Sequence, residues 1–155
     1  MTTASTASPT ATAPTVRVLT GAVGGIAGGV LFGLLMQMMG MIPMVAQLVG
    51  SDSSAVGWLV HLAISAFIVA TYGILCARYA ARLVPAAVTG LLYGAAWWIL
   101  GALVLMPARL GMPTFTLNTT AWRSLMGHLL FGLVLGLGYA ILNRRTPSTD
   151  TGDSR

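Results

Sequence analysis

Residues 56–78 read VGWLVHLAISAFIVATYGILCAR, and no charged side chain interrupts them before Arg78. A helix needs about 20 apolar residues to cross a hydrocarbon core, so this segment predicts a membrane-spanning α-helix. Three further stretches of the same kind lie around it. The first runs from about Val18 to Ile42 and is expected to end at Pro43. The third covers Leu83 to Met106, with Pro85 in its first turn, where proline is best tolerated. The fourth covers about Ala121 to Leu142, after Asn118-Thr119-Thr120. Ahead of the second span, Ser51-Asp52-Ser53-Ser54 offers side chains for an N-cap. Residues 1–16 and 144–155 lack the apolar content to order themselves and read as disordered tails. The expected architecture is all-α: one integral membrane four-helix bundle over residues 17–143.

Composition agrees with that reading. Of 155 residues, 56% are hydrophobic and 7% charged, and the mean hydropathy is +0.85. A soluble domain carries about a quarter of its residues as charges, so a cytosolic globule is excluded. The net charge of +5 does not point to nucleic acid, because every basic residue is an arginine at the end of an apolar run or in the tail. Arg17, Arg78, Arg82, Arg144 and Arg145 fall on the side that holds both termini, and Arg109 and Arg123 fall on the other. By the positive-inside rule both termini lie in the cytoplasm. Trp58 and Trp122 then sit at the outer interface. Cys76 is the single cysteine, which excludes an intrachain disulfide and a thiolate metal cluster.

The two halves echo each other. His61-Leu62 is followed by Tyr72 and Ile74-Leu75, as His128-Leu129 is followed by Tyr139 and Ile141-Leu142. Upstream, Ala22-Val23, Gly25 and Gly29 match Ala87-Val88, Gly90 and Gly94. Taken as a repeat, the chain is two tandem helical hairpins related by a pseudo-two-fold axis along the membrane normal. It places the only two histidines at one depth. His61 shares a helix face with Ser65, Ile68 and Tyr72, and His128 with Gly132, Leu135 and Tyr139.

Across roughly residues 61–132, about half the chain, the sequence resembles the YagU-like family of small bacterial inner-membrane proteins. The matching elements are His61-Leu-Ala-Ile-Ser65 with Tyr72-Gly73, then Gly90-Leu-Leu-Tyr-Gly94. The linker Leu105-Met106-Pro107 to Gly111-Met112-Pro113 and the entry Ser124 to Gly127-His128-Leu129 complete them. The loop between the first two spans is shorter than that family leads one to expect. The resemblance implies a multi-pass protein of the bacterial inner membrane, and it implies no particular activity.

An ionisable side chain inside a span marks a functional candidate. His61 and His128 on facing helices could be the axial ligands of a single b-type haem, with Ser65 and Gly132 giving room for the porphyrin. Met36, Met39 and Met41 crowd the same end of the first span, and thioethers with imidazole suit a soft metal ion. Gly21, Gly25, Gly29 and Gly33 recur every fourth residue and predict close helix packing, within the bundle or against a second copy in a homo-oligomer or larger membrane complex. No carboxylate lies inside a span, so paired-acid hydrolysis and carboxylate-coupled proton pumping are not expected. The chain therefore reads as a non-enzymatic inner-membrane bundle whose partner is the lipid bilayer, working as an interaction or accessory subunit or a stress-related membrane protein. A haem electron-transfer or sensing bundle and a small proton- or soft-metal-responsive transporter are the alternative readings.

Overall fold

The computed structural model describes residues 14–76, 79 and 82–144, with side chains for 26–76, 79 and 82–142. Most of both expected tails lies outside these residues, as do the side chains of Arg17, Arg78, Arg144 and Arg145 and the packing of Gly21 and Gly25. Among the described residues every regular element is helical.

Helix α1 (Pro14–Met38) does not run to Pro43. It stops at Gly40, whose φ of 68° suits a residue without Cβ, and the Met41 N–H closes the helix end on the Met36 carbonyl at 2.8 Å. Pro43 instead opens a short second helix, α2 (Ile42–Gln47). Its Ile42 and Ala46 are fully buried because α2 folds onto α3 (Ser54–Leu75). Gly57 makes this docking feasible, since any Cβ there would strike the Ile42 carbonyl. The polar run before α3 supplies no side-chain cap: Ser53 holds the N-cap position without such a bond.

The third apolar stretch is not one regular helix. It begins as α4 (Leu83–Trp97), widens into a π-helical segment (Trp98–Leu105) and ends in α5 (Met106–Arg109). The Met106 N–H reaches back five residues to Gly101. After a loop, α6 (Thr119–Arg144) starts at Asn118, whose Oδ1 accepts the Ala121 N–H at 2.9 Å. Ser54–Leu75, Leu83–Arg109 and Thr119–Leu142 are each long and apolar enough to cross a membrane, whereas the part of α1 with described side chains, Ile26–Met38, is shorter.

Helix α1 lies between α3 and α6, and α6 also packs along α4. Glycines set both distances. Ser65 fills the space beside Gly29, Trp58 and His61 that beside Gly33, and Phe131 of α6 that beside Gly28. Between α4 and α6 the contact is backbone on backbone: Gly90 faces Gly132, Ala86 faces Gly136, and Gly94 faces the His128 carbonyl. Helices α3 and α4 stand apart at the backbone and are tied by long side chains. The Tyr93 hydroxyl donates to the Ile68 carbonyl at 2.8 Å and meets Thr71 Oγ1, and the Tyr72 hydroxyl meets Thr89 Oγ1 at 3.1 Å.

Candidate functional site

The faces expected to turn inward do so. On α3, His61, Ser65, Ile68 and Tyr72 are buried. On α6, Gly132, Leu135 and Tyr139 are buried and His128 is half-buried. The two histidines approach one element from opposite sides: the Phe32 ring of α1 stands edge-on to both, with centroids 5.6 Å from His61 and 4.8 Å from His128. Tyr72 and Tyr139, the expected counterparts one face further along, meet at 5.9 Å.

The imidazoles bond differently. His61 reaches across to α1, its Nε2 lying 2.9 Å from the Gly29 carbonyl oxygen. His128 turns back on its own helix, its Nδ1 lying 2.8 Å from the Ser124 carbonyl and 3.3 Å from Ser124 Oγ. A carbonyl oxygen only accepts, so each contacting ring nitrogen carries the hydrogen. This fixes one tautomer on each neutral ring and leaves His61 Nδ1 and His128 Nε2 as the lone-pair atoms.

Both histidines line one cavity of about 870 Å³. It is lined by Phe32 and Met36 of α1, Phe131 of α6, residues of α3 between His61 and Ile68, Trp97, and residues of the π-helical segment. Met41 just before α2, Met44 and Val45 of α2, Arg109, and Met112, Thr116 and Asn118 of the loop before α6 line it as well. The π-helical stretch matters here because Gly101 faces open space and Leu103 is the segment's buried residue. The walls are predominantly apolar, and the polar side chains among them are His61, Ser65, Ser124 and His128 on α3 and α6, with Arg109, Thr116, Asn118 and Thr120. That combination of a large apolar pocket and a few convergent polar groups is the usual form of a small-molecule site.

The chain belongs to DUF6789, a family of unknown function. The match runs over residues 15–150 and so takes in every described helix but the first residue of α1. It is this family, and not the YagU-like proteins, to which the comparison ties the chain. No curated protein and no solved structure matches it.

Within this DUF6789 chain the remaining candidates fall as follows. For a haem between the histidines, His61 presents an Nε2 already bonded to Gly29, and Phe32 occupies the space next to both rings. The room assigned to Gly132 is taken by Gly90 and Gly94, and Ser65 packs on Gly29. The arrangement as it stands therefore serves hydrogen bonding at the histidines and helix packing at the small residues. Of the methionines, Met36 and Met41 line the cavity, while Met39 packs against the core from a partly buried position. Gly29 and Gly33 pack inside the chain on α3. Gln37 joins α1 to α3, accepting the Trp58 indole N–H at 3.1 Å. The sequence reading missed the π-helical wall and the part played by Trp98, whose indole N–H ties that wall to the Ala121 carbonyl at 2.9 Å.

Proposed function

We propose that this chain is a non-enzymatic integral membrane protein that works by holding a lipid-soluble molecule in the cavity beside His61 and His128. In this reading α1, α3, α4 with its π-helical extension, and α6 form a four-helix bundle in the bacterial inner membrane, with both termini cytoplasmic. The observation that carries it is an inverted polarity. Ile26, Leu34, Leu59, Leu92 and Met126 are all exposed, while His61, Ser65 and Ser124 are buried. Water would reject such a surface, and lipid accepts it. The tandem-hairpin reading draws support from matching contacts, since Gly29 meets Ser65 as its repeat counterpart Gly94 meets Gly132.

The test is topology mapping in a bacterial host. A fluorescent protein fused after Arg155 should fluoresce, and alkaline phosphatase inserted in the loop at Pro113 should be active. Recovery of the chain in the soluble fraction, or the reverse reporter pattern, would respectively sink the membrane reading or its orientation.

A further inference from the structure

The tautomers of the two histidines restrict what the cavity can hold. The ring N–H of His61 is committed to the Gly29 carbonyl and that of His128 to the Ser124 carbonyl. His61 Nδ1 and His128 Nε2 have no hydrogen bond among the described residues, and neither is sealed away as a buried atom lacking a partner. Both side chains line the cavity, so its two imidazoles bring ring acceptors and no ring donor, beside the hydroxyls of Ser65 and Ser124 and the Arg109 guanidinium of the same lining. A ketone, quinone or ester head would bring another acceptor to those nitrogens. A hydroxyl brings the donor they lack. The rest of the lining, with Phe67, Ile68, Trp97, Leu103 and Leu105, suits a hydrocarbon or aromatic body. A volume of about 870 Å³ accommodates a molecule of lipid or drug size.

We infer that the cavity binds a lipid-soluble molecule with a hydroxyl head, phenolic or alcoholic, which donates its O–H to His61 Nδ1 or His128 Nε2 while its apolar body lies along the π-helical wall. This rests on the proposed membrane-embedded binding role and narrows it to one ligand chemistry. The hydroxyl is bound and not transformed.

The chain carries only two histidines, so ring-nitrogen NMR of the histidine-labelled, untagged full chain in phospholipid nanodiscs reads both acceptors separately. Titration with para-dodecylphenol should shift at least one unprotonated ring nitrogen saturably, and para-dodecylanisole, which lacks only the donor, should not. Dodecanol in place of the phenol separates the alcoholic from the phenolic source. Replacing the responding histidine by phenylalanine should weaken phenol binding about tenfold, the loss expected for one net hydrogen bond. Because that variant also removes a structural bond, Gly101→Leu is the second arm: it fills the cavity from a position with no atom within 4 Å of its Cβ and should abolish the shift in a folded chain. Arg123→Gln, at an exposed position outside the lining, should leave the shift intact. Equal binding of ether and phenol, no saturable shift with either hydroxyl compound, or loss through Arg123 alone would overturn the inference. A chain that fails to insert in the topology experiment removes the membrane reading itself, whereas one that inserts and then fails here removes only the ligand class.

Discussion

Gly90 and Gly132 meet backbone to backbone, each occupying the space where a Cβ on the other would fall against a carbonyl oxygen. The contact is repeated one turn away on either side, at Gly94 with His128 and at Gly136 with Ala86. Small residues are the general means by which helices approach closely where lipid removes the hydrophobic drive to associate.

The tightness of that pair gives a contrast between two glycines. Gly132→Ala should destabilise the protein by about 1–3 kcal/mol, because the backbone it meets cannot rotate away as a side chain would. Gly101→Ala, whose Cβ meets nothing within 4 Å, should be neutral or stabilise by up to about 1 kcal/mol through helix propensity. Unfolding of the purified protein by a denaturing detergent, followed by circular dichroism, measures both. Equal losses at the two sites would show that α4 and α6 do not meet this closely.

The bond from His61 to Gly29 should be separable from the bulk of the imidazole. His61→Ala should destabilise by about 2 kcal/mol, combining a hydrogen bond between helices with a cavity. His61→Gln keeps a donor within reach of the carbonyl and should recover most of that loss. If glutamine proves no better than alanine in the same unfolding assay, the side chain holds α1 by packing alone.

Tyr93 is the main tie between α3 and α4, through the Ile68 carbonyl and Thr71. Tyr93→Phe keeps the ring contacts with Tyr72 and Trp97 and removes only the hydroxyl. We expect a loss of about 1 kcal/mol and a broader distance distribution between spin labels at the exposed positions Leu59 and Leu92, in a background lacking Cys76. An unchanged distribution would mean that the rings, and not the hydroxyl, hold these helices.

Gly57 determines whether α2 stays docked. Gly57→Ala directs a Cβ into the Ile42 carbonyl, so α2 should lift from α3 while α4 and α6 remain paired. Hydrogen exchange should then accelerate at the amides of 45–51, which close the end of α2, with little change in α6. Protection that falls uniformly through the chain would refute such a local effect.

Much of the candidate site was legible because helical spacing is geometric. His61, Ser65, Ile68 and Tyr72 fall on one face by spacing alone, as do His128, Gly132, Leu135 and Tyr139, and both faces turn inward. The acceptors could not be read, since the carbonyls of Gly29 and Ser124 leave no mark in a sequence. The π-helical segment was equally silent: WILGALVL is apolar throughout and has no periodicity from which to infer a wider turn. Gly90 and Gly94 stood out as a repeat, yet one helix's pattern does not say which neighbour will use it. Gly40 was the readable signal passed over, a glycine three residues ahead of Pro43 that ends α1 where proline was expected to.

The separation of α3 from α4 gives the molecule the mechanics of a clothes-peg. The polypeptide itself joins the two arms at one end, running from Leu75 toward Leu83. Tyr72, Thr89, Tyr93 and Thr71 act as the spring at mid-length, and the cavity lies between the jaws beyond them. The α4–α6 pair, by contrast, is closed backbone on backbone. Under the proposed membrane reading, a guest held in the cavity would enter sideways from among the acyl chains, without ever leaving an oily medium.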